Sequence, residues 1–134
     1  MRRRFRRDIK ELDGIFSFAG EFESDNGLED SESYFLDLTL EELFTNLVRH
    51  ARGSDNIDIE LDLDGSLMTI RMTDRDTEPF DGNSLGEVNT KAPLMEREPG
   101  GLGIYLVKKM ADSLDYDYDD GTLVVTATKR LEER

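Results

Sequence analysis

The sequence predicts an α+β fold, a two-layer α/β sandwich with helices on one face of a mixed, largely antiparallel sheet. Three observations predict it. Leu40, Leu43, Phe44, Leu47, Val48 and Ala51 recur at helical spacing and make one apolar stripe. Ile57, Ile59, Leu61 and Leu63 alternate strictly with acidic residues, as in a strand with one buried face. After residue 101 the same order of helix then hairpin recurs.

The elements follow in chain order. Five arginines stand among the first seven residues, which reads as an edge strand with a solvated face. Ile9, Leu12, Ile15, Phe16, Phe18 and Ala19 have roughly helical spacing, so residues 8–22 form a first helix, weakened by Gly14. Residues 23–33 are polar and turn-rich and read as a linker. Thr39 is placed to cap the second helix, with Glu42 at capping-box spacing and Gly53 to end it. Asp64-Gly65 is a hairpin turn that returns Leu67 to Met72 antiparallel to the strand before it.

Residues 74–101 show little periodicity and many Gly, Pro, Asn and Asp, so they read as an acidic loop followed by a lid. Leu102 to Ser113 forms a third helix with Leu102, Leu106, Val107, Met110 and Ala111 as its apolar arc. Tyr116–Tyr118 and Thr122–Thr128 make a last hairpin through Asp119-Asp120-Gly121. The 134 residues suit a single domain, with its core in about 34–130.

Composition narrows the function. No apolar run approaches the roughly 20 residues of a membrane span, and no signal-peptide core follows the basic start. A cytoplasmic chain without a membrane partner is expected. The absence of cysteine excludes disulfides, thiol catalysis and thiolate metal sites. A net charge of −14 repels nucleic-acid phosphates and favours a partner with a basic patch.

Chemistry concentrates in two places. Gly100, Gly101 and Gly103 follow Pro99 and open an apolar, helix-compatible run. Such glycines expose backbone N–H groups at the positive end of a helix, which makes an anion site. Glu42 and Asn46 stand four apart on one helix face, opposite the apolar stripe. A carboxylate there suits a general base and an amide oxygen suits a hard cation; Arg49, one turn beyond, suits a phosphate. The same face also reads as plain solvated surface. His50, the one histidine, follows Arg49 on a packed helix and reads as structural.

The conjunction of these parts resembles the GHKL ATPase superfamily, which includes gyrase, chaperone and mismatch-repair ATPases and histidine kinases. Within it, Leu40-Glu41-Glu42-Leu43-Phe44-Thr45-Asn46 and the glycine box from Gly100 to Lys109 are similar to the single-domain anti-sigma factor serine/threonine kinases. Pro79-Phe80-Asp81 and Glu96-Arg97-Glu98 match their pattern as well. The resemblance spans roughly residues 34–130 and implies a Bergerat-type ATP-binding fold.

It implies that Asn46 ligates the magnesium of ATP and that Glu42 accepts a proton from a serine or threonine hydroxyl. Arg49 would contact phosphate, and Gly100, Gly101, Leu102 and Gly103 would cradle the phosphates under a lid at 82–99. The implied partners are an anti-sigma-factor antagonist and a sigma factor, with a homodimer as the expected assembly. The chain departs from the family at Thr73-Asp74-Arg75-Asp76-Thr77-Glu78-Pro79, where Asp-x-Gly normally binds adenine. One alignment puts Arg75 and Thr77 in those places. The other, favoured because Asp74 directly follows a strand, makes Asp74 the adenine ligand and Asp76 the replacement for the glycine. Loss of that glycine leaves a second implied role, a regulatory binding module with weak or no catalysis.

Overall fold

The computed structural model describes residues 1–77 and 101–132. Five strands form one open sheet: β1 (Arg2–Arg6), β2 (Asn56–Asp64), β3 (Leu67–Asp74), β4 (Ser113–Asp119) and β5 (Thr122–Arg130). Their spatial order is β1-β2-β3-β5-β4. Every ladder among the described residues is antiparallel, so no mixed pairing is found there. The helices are α1 (Leu12–Asn26), α2 (Asp30–His50) and α3 (Gly101–Met110).

The alternation read from β2 sets its two faces. Ile57, Ile59 and Leu61 are fully buried under the helices, and register pairs Ile59 with Met72 and Leu61 with Ile70 on the same side. Phe18, Phe22, Phe35, Leu36, Leu40, Leu43, Phe44 and Leu47 supply the helical half of the core. The two hairpin turns need left-handed backbone, and Gly65 (φ 61°) and Gly121 (φ 81°) supply it.

The arginine-rich start is the edge strand β1, with Phe5 buried and Arg2, Arg3, Arg4 and Arg6 exposed. Its charges are not simply solvated. Arg2 and Arg4 bond the carboxylate of Asp58 at 3.0 and 2.9 Å on the uncovered sheet face, and Arg75 bonds it too. These guanidinium groups, Arg4 foremost, hold the Asp58 carboxyl far below the usual carboxylate range although burial opposes them.

Helix boundaries correct the sequence reading. Residues up to Asn26 belong to α1, and α2 begins at Asp30, so the expected linker 23–33 contracts to a turn around Gly27. Gly27 takes φ 60° and its N–H bonds the carbonyls of Glu23 and Ser24. Acidic residues that resemble loop composition are here the first turn of α2, where they oppose the helix dipole. Glu29 and Glu32 form the capping box, with the Glu29 N–H donating to Glu32 Oε1 at 2.8 Å. Thr39 is therefore mid-helix and fully buried rather than a cap, and Ala51, not Gly53, is the C-cap.

Two further boundaries shift. The chain leaves α3 after Met110, and Ser113 already pairs with Thr128 in the sheet. The inward face of α3 is Ile104 and Val107, while Leu106 is 42% exposed and not part of the apolar arc. Ile104 and Val107 stand three apart and share one helix face, whereas Leu106 does not.

Candidate functional site

One turn separates Glu42 from Asn46 on α2, and the structure puts them in different surroundings. Asn46 is 6% exposed, so the expectation of a fully solvated face is corrected at this residue. Glu42 is partly buried, and Arg49 and His50 lie exposed in the last turn of the helix. Burial pushes the Glu42 carboxyl above its ordinary value, Glu41 adds to this, and Arg49 counteracts it. A more basic carboxylate is a better proton acceptor near neutrality.

The glycine run meets this carboxylate in space. A Cβ added at Gly103 would overlap the Glu42 carboxylate itself, so Glu42 lies directly against the first turn of α3. Gly101 and Leu102 belong to that same turn. Gly100, the lid at 82–99, Pro79-Phe80-Asp81 and Glu96-Arg97-Glu98 lie outside the described residues.

A second carboxylate closes the other end. Asp74 is the last residue of β3, on its core-facing side, and is completely buried. Its Oδ1 accepts from Arg7 Nη2, while Oδ2 is buried with no hydrogen-bond partner among the described residues. Burial raises the Asp74 carboxyl above its ordinary value, and Arg7 partly offsets this. Gly53 packs so closely here that a Cβ would overlap Asp74 Oδ1, Arg7 Nη2 and the Arg75 carbonyl.

The residues of the two alignments of the acidic loop differ in burial and backbone. Asp76 is exposed and takes φ 57°, the left-handed conformation that favours glycine. Thr77 is instead buried and bound to the β4–β5 turn: its N–H and Oγ1 donate to the Gly121 carbonyl at 2.8 and 3.1 Å. Tyr118 donates to the Thr77 carbonyl at 3.2 Å. Arg75 points to Asp58 on the opposite sheet face. The pair Asp74 and Asp76 thus has the burial and backbone geometry of Asp-x-Gly, and the pair Arg75 and Thr77 does not.

The profile of the histidine kinase-like ATPase domain matches residues 5–129. The chain belongs to this family. As a histidine kinase-like ATPase domain it is of an ATP-binding type, and the match takes in the end of β1 and all of α1, which lie outside the resemblance over 34–130. No curated protein matches the chain. None of the helices among the described residues is long and apolar enough to cross a membrane.

The residues fit the nucleotide such a domain binds. An orphaned, buried acceptor at Asp74 Oδ2 suits an N–H donor, and the glycine-lined start of α3 suits an anion. Arg7 and Gly53 are absent from the site residues read from the sequence, where one is part of a solvated edge and the other a helix stop. Neither has a spacing that announces it, since Arg7 is 67 positions from Asp74 and meets it only in three dimensions.

Proposed function

We propose that this domain is an ATP-dependent serine/threonine protein kinase of the anti-sigma factor type, acting on an antagonist protein and holding a sigma factor. The observation that carries the proposal is the contact of Glu42 with the first turn of α3, which brings a basic carboxylate to an anion site. Bound ATP, with magnesium, supplies the phosphoryl group and the neutralisation of its charge. The chain's own residues do the positioning. Glu42 accepts the proton of the attacking hydroxyl. Asn46 holds the cation, Arg49 adds positive charge near the phosphates, and the N–H groups of Leu102 and Gly103 face them. Asp74 receives the adenine amino group at Oδ2, and Asp76 occupies the left-handed position beside it.

Phosphoryl transfer asks for placement more than for covalent help, so this small set is sufficient. Nucleotide titration with and without magnesium tests the reading; no binding at millimolar ATP would sink it. The rate of transfer should fall as pH drops and Glu42 takes up a proton, and a flat profile would remove Glu42 as base.

Asp76 supports a second reading, a regulatory module that binds partners with little catalysis. An aspartate in a left-handed conformation costs energy that glycine does not, and it sets a carboxylate next to the base pocket. Glu42-dependent phosphorylation of a partner protein would dispose of that reading.

A further inference from the structure

Arg7 is the unexpected component of this site. Its side chain is only 15% exposed and its guanidinium is held from three directions. Nε donates to the Ser54 carbonyl at 2.8 Å, and Nη1 donates to the Leu47 carbonyl at 2.8 Å and the Ala51 carbonyl at 3.5 Å. Nη2 donates to Asp74 Oδ1. Two of these carbonyls belong to the last turn and cap of α2, where Leu47 also accepts the Ala51 N–H, so the arginine ties the end of that helix to the end of β3. The backbone N–H of Arg7 is fixed as well, donating to the Asp55 carbonyl at 2.7 Å. A side chain held this way is part of the wall of the site and not a plug that swings out.

The consequence concerns what Asp74 can still accept. An ionised carboxylate offers two oxygens and can take a bidentate donor. Here Oδ1 accepts from Arg7 and is closed in by the backbone of Gly53, so its remaining lone pair has no open side. Oδ2 is left for a ligand, buried and without a partner among the described residues.

We infer that Arg7 is a specificity-determining residue, which restricts Asp74 to a single acceptor and so selects adenine over guanine. Adenine offers one amino group on its pairing edge, which one oxygen satisfies. Guanine offers a ring N–H beside an amino group and would engage both oxygens of a free carboxylate, as carboxylates engage paired donors elsewhere. With Oδ1 occupied, one guanine donor is left buried and unsatisfied, which disfavours that base. The inference rests on Asp74 being the base-reading carboxylate, and it adds the residue that sets the choice.

The test is the ratio of ATP to GTP affinity, measured by displacement of a fluorescent adenine nucleotide in the presence of magnesium. In Arg7→Ala the preference for ATP should fall by about tenfold, the loss of one charge-assisted discrimination. Arg7→Lys, which can still donate to Oδ1, should keep most of the preference. A purely structural role would weaken both nucleotides together and leave the ratio unchanged. Circular dichroism checks the fold, and Arg7→Gln, which retains donors for the α2 carbonyls, carries the comparison if Arg7→Ala does not fold. A ratio within twofold of wild type overturns the role of Arg7 alone. A wild-type protein that binds neither nucleotide overturns both this inference and the ATP reading.

Discussion

The two ends of the site contain the same local device and use it differently. At each, a glycine lets a carboxylate approach where a side chain would collide: Gly103 against Glu42, and Gly53 against Asp74. At the first end the crowded atoms are the tip of one flexible side chain on α2. At the second they include an ion-paired arginine and a backbone carbonyl, none of which can move alone. Glu42 is partly exposed and Asp74 is fully buried. In the proposed function Glu42 is a proton acceptor, which must reach a substrate and regain solvent, whereas Asp74 is a reader of ligand shape, which gains from being immobile. Mobility at one end and rigidity at the other is what the comparison teaches.

The largest effect is expected from Glu42→Gln, which keeps the shape of the side chain and removes the base. Phosphoryl transfer should fall by about a hundredfold or more, while ATP affinity changes little. Equal losses in both would make Glu42 a binding group instead, and single-turnover kinetics beside a binding titration separates these outcomes.

Next comes Gly53→Ala. Its methyl group has no space among Asp74, Arg7 and the Arg75 carbonyl, so stability should drop by about 2–3 kcal/mol in chemical denaturation. A change below the error of the measurement would show that this end is not rigid. Gly103→Ala is the matched control. Glu42 can swing aside, so the cost in stability should stay under about 1 kcal/mol while the transfer rate drops about tenfold.

The smallest effect lies away from the site and calibrates the others. Glu23 on α1 meets Asp37 and Ser33 on α2, and burial first, then Asp37, pushes its carboxyl up to about 7 from an ordinary 4.5. The folded protein therefore holds a proton there that the unfolded chain has released. That stability is complete below about 4.5 and is lost as pH rises through 7. Glu23→Gln should accordingly stabilise the protein at pH 8 by about 1 kcal/mol, after allowance for solvent screening, with the gain shrinking toward pH 5. Thermal midpoints at the two pH values read the difference directly. An equal gain at both would mean that folding does not raise the Glu23 carboxyl.

The two ends also differ in how far the sequence disclosed them. Glu42, Asn46 and the glycine run could be named in advance because helical spacing and a glycine cluster are local patterns, fixed by three or four residues. The strand alternation from Ile57 to Leu63 and the Asp64-Gly65 turn were legible for the same reason. The start of α2 was not, because a run rich in Glu, Asp and Ser has the composition of a loop and becomes a helix only once its apolar face is covered.

By itself, then, the sequence determined the apolar stripe of α2, the β2–β3 hairpin with its inward face, and the last hairpin. Tertiary structure decided the rest. It buried the Asp74 carboxylate and put Asp76 in the left-handed region, which favours the proposed reading of that pair over Arg75 and Thr77. It also turned the arginine that follows the edge strand into a neighbour of Asp74. The pairing of β1 with β2 carries Arg7 to the end of α2, and no periodicity records a contact between groups 67 residues apart.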